Sequence, residues 1–405
     1  MTTTTAASAR EIMALEGAHV LQTYRRAPVV FERGERCRLY DTTGRAYLDF
    51  ISGIGVASLG HAHPRLADAI GSQARQLLHT SNLYYHPLQG EVASRLTALS
   101  GMARAFFCNS GTEAMEACLK FARRYWFTQG TPRTEIVALE RGFHGRTIGA
   151  LSLTWDDHYR VPFGPLLDGI TWVSHSDPAA LRAAVSERTA AIVAEPLQGE
   201  GGVRPLRPDM AAAITSACRD SGALLIADEV QCGLGRTGVP FYSSTLGLSP
   251  DLMALGKALG GGVPVGAALF SERVAATAAY GDHGSTYGGN LLACRAALVV
   301  LDELRDGLLD HVAAIGRILE QALRRVAARH AAVVDVRGAG VIWGLELDRP
   351  AAPVVDAALE RGLLINRTAD TVIRLLPPYI VDAAEVEQMA SLLDAALGAA
   401  TGGGS

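Results

Sequence analysis

From residue 104 to residue 269 the chain alternates short apolar runs with longer stretches of helical period: AFFC before TEAMEACLKFARRYW, then EIVALE, AAIVAEP, MAAAITSACRDSG and ALLIADEV. Unbroken apolar runs describe strands buried on both faces, and amphipathic helices between them describe the crossovers of a parallel sheet. The pattern predicts an α/β unit with a mostly parallel central sheet and helices on both faces. After residue 290 the texture changes. A long helical stretch over 291–330 precedes the strand-like VVDVRGAGVIWGLEL, a helix near 354–361, GLLINRT, VIRLLPP and a last helix near 383–397. This predicts a smaller α+β domain, which the early strand pattern CRLYDTTGRAYLDF joins or flanks. The expected division is an N-terminal segment, residues 1–60, associated with the small domain, then a large domain, 61–290, and a C-terminal small domain, 291–405. The Thr/Ala-rich start and the closing TGGGS read as frayed ends, because neither can bury apolar surface.

Composition narrows this picture mainly by exclusion. At 405 residues, 49% hydrophobic and 19% charged, the chain has the size and apolar content of a globular enzyme with an ample core. A formal charge of −4 without blocks of like charge offers no field for nucleic acid. The N-terminus lacks a basic stretch followed by an apolar one, and no run reaches the ~18 apolar residues of a membrane span, so neither nucleic acid nor membrane is expected as a partner. The six cysteines, Cys37, Cys108, Cys118, Cys218, Cys232 and Cys294, form no CxxC pair and read as reduced thiols. Together these features point to a cytoplasmic location.

The charge usage carries one further signal. Of 37 basic residues outside histidine only Lys120 and Lys257 are lysines. Arginine stays protonated in proteins, whereas an ε-amine can lose its proton and attack a carbonyl. Lys120 lies in an amphipathic helical stretch, but Lys257 stands in the glycine-rich DLMALGKALGGG.

In α/β sheets ligands bind beyond the carboxyl ends of strands. FFCNSGTEA places Ser110, Gly111 and Thr112 between a strand and a helix, where free backbone N–H groups and the helix dipole hold a phosphate. LLIADEV places Asp228 at the end of a very apolar strand, followed by GLGRTG, which lacks the lysine of a nucleotide-binding loop. A phosphate cradle, an acid on a buried strand and a scarce lysine match the needs of pyridoxal phosphate.

The chain resembles the class III aminotransferases of the fold type I pyridoxal-phosphate enzymes, and among them the acetylornithine aminotransferases. The resemblance runs over residues 28–380, through LDFISGIGVASLGHAHP, SNLYY, SGTEA, FHGRT, EPLQGEGG, DEVQCGLGRTG, GKALGGG, HGSTYGGN and VIRLLPP. It implies a fold type I transferase with pyridoxal 5′-phosphate carried by Lys257, which also shuttles the proton. Asp228 is implied as the partner of the pyridinium nitrogen, and Gln231 as a neighbour of the cofactor's phenolic oxygen. Phe143 is implied as the aromatic stacked on the ring, and Gly111 and Thr112 as the phosphate-binding pair. Ser285 and Thr286 fall where the family reaches the phosphate of the neighbouring subunit, which implies a homodimer with shared active sites.

Substrate residues follow from the same resemblance. Arg146 is similar to the guanidinium that grips a substrate carboxylate. Glu200 and Arg374 are similar to the pair that lets one pocket serve two amino donors, with Glu200 neutralising Arg374 for a δ-amine and releasing it to glutamate. Ile54 stands where ornithine aminotransferases carry a tyrosine that contacts the free α-amino group. An aliphatic residue there favours N-acetylornithine over ornithine, with 2-oxoglutarate as acceptor in arginine biosynthesis. It does not separate acetyl from succinyl, nor exclude N-succinyl-LL-2,6-diaminoheptanedioate, 4-aminobutanoate or a putrescine-like amine. An aminomutase and a homologue without turnover are the readings from other classes. Met115 and Ala227 depart from residues common in relatives. His61 and His63 in GHAHP have metal-like spacing without further ligands, and no metal is expected.

Overall fold

The computed structural model describes residues 8 to 401, so the Thr/Ala tract at residues 1–7 and the glycines of the closing tail, both read as frayed ends, lie outside the described residues. The core is a seven-stranded sheet of β1 (Arg104–Cys108), β2 (Glu135–Leu139), β3 (Ile170–Val173), β4 (Thr189–Ala194), β5 (Leu224–Asp228), β6 (Leu252–Leu255) and β7 (Gly266–Phe270). Their order is β1-β7-β6-β5-β4-β2-β3. Neighbours from β6 to β3 run parallel. β7 alone is reversed, pairing antiparallel with both β6 and β1. The mostly parallel sheet expected from the unbroken apolar runs is therefore present. Three strands are absent from the runs named. β3 has only four residues and is partly exposed, β6 merges with the glycine-rich stretch around Lys257, and β7 follows that stretch.

Burial on both faces explains the composition of the central strands. Leu224 and Ile226 of β5 pack with Met115, Cys118 and Ala122 of α1 (Gly111–Thr128). Leu225, pointing the other way, packs with Met210 and Ile214 of the helix α2 (Pro208–Ser221). None of these three β5 side chains is more than 3% exposed, worth about 1.5–3 kcal/mol each. The strand that ends in Asp228 is thus anchored from both sides.

The stretch read as one helix over 291–330 is two, α3 (Leu291–Glu303) and α4 (Leu309–Ala327). The turn Leu304–Leu308 between them holds Gly307 at φ +115, which suits glycine. The two helices pack on different bodies. α3 lies against the helices Pro64–Gln76 and Pro87–Ser100 and the Lys257–Gly260 turn, whereas α4 lies against the C-terminal helix α5 (Ala383–Thr401) and the strand β8 (Val333–Ala339).

β8 forms an antiparallel sheet with β9 (Ile342–Leu347), β10 (Asn366–Thr368) and β11 (Val372–Leu375), in the order β8-β9-β11-β10. The early strands Phe31–Glu35, Arg38–Asp41 and Ala46–Asp49 form a sheet completed by Leu363–Leu364, which pairs parallel with Ala46–Asp49. The N-terminal segment therefore joins the C-terminal one directly. Among the described residues no helix is long and apolar enough to cross a membrane.

Candidate active site

Strand ends and one helix start converge on a cavity of about 280 Å³. Asp228 closes β5, Glu195 follows β4, Lys257 begins the turn after β6, and α1 points its N-terminus at them. Asp228 is buried, and its Oδ2 lies 2.8 Å from His144 Nδ1, also buried. The other carboxylate oxygen accepts the N–H of Val230 at 3.1 Å. Burial alone would lower the His144 pKa. The hydrogen bond and charge of Asp228 outweigh it, and the imidazole is held above its ordinary value. Glu195 accepts the N–H groups of Phe143 and Gly199 at 2.9 and 3.0 Å, which fixes the FHGRT loop against the sheet. Burial raises the Glu195 pKa to about 7, with His144 opposing and Asp228 reinforcing.

Lys257 sits at φ +33, a conformation L side chains rarely adopt and one that costs roughly 1–3 kcal/mol. The turn is locked by Leu259 N–H donating to Gly256 O at 2.9 Å and by Gly261 at φ +58. Burial lowers the lysine pKa and Arg374 pushes the same way, while Glu200 and Asp228 oppose. The net effect is an amine more easily deprotonated than a surface lysine, as a carbonyl nucleophile requires.

The N-terminus of α1 has the geometry of a phosphate cradle. The Ser110 hydroxyl caps the helix, accepting from Glu113 N–H at 3.3 Å and donating to Glu113 Oε2 at 2.9 Å. A Cβ on Gly111 would stand 2.5 Å from Val230 Cγ1, and one on Gly256 would stand 3.1 Å from Gly111 Cα, so the backbones approach as only glycines allow. The Thr112 hydroxyl lies 2.9 Å from that of Thr147 and accepts the N–H of Arg146 at 3.2 Å. It therefore ties the helix start to the FHGRT loop. Free N–H groups at a helix start, an acid and a deprotonatable amine in one glycine-lined cavity fit pyridoxal phosphate, with Phe143 and Val230 offering apolar surface to its ring.

Above this floor Arg374, 1% exposed, donates from Nη1 to Glu200 Oε1 at 2.6 Å and to Gln231 Oε1 at 3.1 Å. Its Nε donates to Asn366 Oδ1 at 3.3 Å. Burial would raise the Glu200 pKa, but Arg374 and then Lys257 outweigh it and keep the carboxyl below its usual range. Glu200 thus serves as an ionised counter-charge for a buried guanidinium. Arg146 is exposed at the rim, its guanidinium 3.8 Å over the Tyr159 ring and 5.4 Å from that of Phe143. A second cavity of about 520 Å³ shares Phe143 and Glu200 with the first and is walled by Arg141, Trp155, Tyr159 and Thr368.

The structure thus gathers Ser110, Gly111, Thr112, Phe143, Arg146, Glu200, Asp228, Gln231 and Lys257 around one cavity, with Arg374 bonded to two of them. Ser285, Thr286 and Ile54 are not among the residues lining it. Ser285 Oγ accepts from Asn109 Nδ2 and Gly288 N–H at 3.3 and 3.0 Å, and Thr286 and Ile54 are exposed. Sequence reasoning missed His144 and Glu195. Glu195 had a readable signal, since it directly follows the apolar run AAIVA. His144 had none beyond its place in FHGRT, because only folding brings it to Asp228. His61 lies 2.7 Å from Asp49, whose other oxygen accepts Ile51 and Ser52 N–H groups, so this histidine braces a turn. Among the described residues no cluster of three or more His, Cys, Asp or Glu could hold a metal ion.

Comparison with known proteins gives the pocket a lineage. A family described as aminotransferase class III matches residues 20–397. An acetylornithine aminotransferase of Methanocaldococcus jannaschii is 44% identical over 382 residues, covering 94% of this chain and 96% of its own. One of Gloeobacter violaceus is 46% identical over 380 residues, covering 93% and 95%. The crystal structure of an ornithine aminotransferase from Toxoplasma gondii superposes with a TM-score of 0.93 at 31% identity, covering 97% of this chain and 96% of that one. Since the family match runs unbroken through every residue of this pocket, the chain belongs to the class III aminotransferases, the fold type I, pyridoxal-phosphate-dependent transaminases.

Proposed function

We propose that the enzyme moves the δ-amino group of N2-acetyl-L-ornithine to 2-oxoglutarate, giving N-acetyl-L-glutamate 5-semialdehyde and L-glutamate, as a step of arginine biosynthesis. The acetylornithine aminotransferases to which the chain is 44–46% similar in identity support the donor. The observation that carries the reading is the Glu200–Arg374 pair at 2.6 Å beside Lys257. A pocket for two donors must tolerate a terminal amine with no adjacent carboxylate and also hold the α-carboxylate of glutamate. A buried arginine with an ionised partner meets both needs, because Glu200 satisfies Arg374 for the first and can be displaced by a carboxylate for the second.

Pyridoxal phosphate, when bound, supplies the carbonyl that takes the amine and a ring that withdraws electrons from the carbon losing its proton. Lys257 would hold the cofactor and move the proton, for which its lowered pKa suits it. Asp228, its orientation fixed by His144, would pair with the ring nitrogen. Gly111 and Thr112 N–H groups would receive the phosphate. Arg146 offers a bidentate fork to the donor's distal carboxylate.

The proposed assembly is a homodimer in which Ser285 and Thr286 serve the site of the second copy. In support, Leu83, Tyr84 and Tyr85 and, beside the Ser285 loop, Tyr280 and Tyr287 are all exposed. The proposed location is the cytoplasm, supported by six unpaired thiols. The test is a donor panel at fixed 2-oxoglutarate with N-acetylornithine, ornithine, N-succinylornithine and 4-aminobutanoate. N-acetylornithine should have the highest kcat/KM. Equal or better use of ornithine would sink the acyl-donor reading, and turnover independent of 2-oxoglutarate would replace transfer by an intramolecular amine shift.

A further inference from the structure

The GLGRTG segment is absorbed by neither the cofactor floor nor the substrate residues, yet it carries one of the most buried charges in the protein. Arg236 is 0% exposed, and among the described residues no carboxylate pairs with it. Burial lowers its pKa, and the Tyr379 ring lies 4.5 Å from its guanidinium carbon. Instead of an acid it donates to backbone carbonyls of three separate segments. Nη2 reaches Gly55 O at 3.3 Å, while Nη1 reaches Pro377 O and, at 3.5 Å, Val341 O. Its own carbonyl accepts Val341 N–H at 2.9 Å.

Each of those carbonyls adjoins a segment that carries, or pairs with, a proposed donor residue. Gly55 follows Ile54, a β-branched residue at φ +64, between Gly53 at +63 and Gly55 at +80. With Ser52 at +45 this makes a run of four positive-φ residues, which persists only where surrounding bonds over-determine it. Pro377 lies three residues beyond Arg374, just past the end of β11. Val341 immediately precedes β9, whose Gly344 is the register partner of Arg374. The same segments are cross-tied, since Leu376 N–H donates to Phe50 O at 2.6 Å and Ser52 Oγ to Leu376 O at 2.6 Å. A neutral side chain could fill this space but could not satisfy carbonyls on two sides. A lysine could reach one side only, because its donors radiate from a single atom.

We infer that Arg236 is a positioning residue for donor selection, setting the relative placement of the Ile54 turn and the Arg374 strand without touching cofactor or substrate. The inference rests on the acetylornithine reading for the direction of the effect. Arg236→Lys, purified with cofactor bound, is assayed with N-acetylornithine and ornithine beside the unaltered enzyme. The ratio of their kcat/KM values should fall about fivefold or more, through KM, with kcat for N-acetylornithine within about twofold and KM for 2-oxoglutarate raised. Equal losses for both donors, or no change in the ratio, would overturn it, since a purely structural role lowers active enzyme without sorting donors. If Arg236→Lys does not fold, Tyr379→Leu, which removes the ring beneath the guanidinium, is read by the same ratio. If the unaltered enzyme fails to prefer N-acetylornithine, the functional reading falls, while Arg236 still stands or falls on whether the ratio moves.

Discussion

The floor of the active site and its donor-facing wall are built in opposite ways. The floor, Asp228, Glu195 and Lys257, comes from the ends of adjacent strands β4, β5 and β6 in one sheet, with His144 packed against it. Its residues are anchored by apolar side chains on both sheet faces. The wall combines Glu200 with Arg374 of β11, and the proposed donor residue Ile54, outside the cavity lining, sits on a turn near the N-terminus. The wall is held by polar bonds between segments far apart in the chain. Lesions in the floor should therefore disable every donor alike, and lesions in the wall should sort donors from one another.

The largest expected effect is at Lys257. Lys257→Arg keeps a positive charge and loses the nucleophile, so turnover should drop by roughly 10⁴-fold or more for all donors. Loss for one donor only would erase the distinction between floor and wall. Asp228→Asn should lower kcat about 10²–10³-fold, again without donor preference, as for removal of a preorganised electrostatic partner. Steady-state kinetics with both N-acetylornithine and ornithine decide this.

Effects at the wall should be smaller and selective. Glu200→Ala leaves Arg374 without its counter-charge, and should shift preference from terminal amines toward α-amino donors on the order of tenfold. Unchanged selectivity would break the two-donor account. The same change removes the largest influence raising the Lys257 pKa while Arg374 still lowers it. A neutral amine is the reactive form, so the acid limb of cofactor loading by apoenzyme should move to lower pH; a shift to higher pH would contradict the electrostatics. Ile54→Tyr should have the smallest effect, narrowing the gap between N-acetylornithine and ornithine by about 1 kcal/mol at most.

Much of this contrast is legible in sequence, unevenly. The central strands read clearly because burial on both faces demands unbroken apolar runs such as ALLIAD. β3, β6 and β7 do not, because the first two have only four residues and β7 follows directly on the glycine-rich stretch after Lys257. The helix over 291–330 reads as continuous because its apolar period continues through the turn at Gly307. Asp228 stands out by position at the end of an apolar strand, as Glu195 also does after one, and Lys257 by the scarcity of lysine and its glycine-rich setting.

By itself the sequence determined the α/β class, the strand ends that bear the chemistry, the scarce lysine and the family to which the chain belongs. These are local properties, set by side-chain periodicity and motif. Only the tertiary structure decided that His144 meets Asp228 and that Arg236 binds carbonyls of three segments instead of an acid. Such pairings join residues 84 to 181 positions apart. They form because buried charges and carbonyls must find partners wherever the packed core leaves them, and no spacing along the chain encodes that requirement.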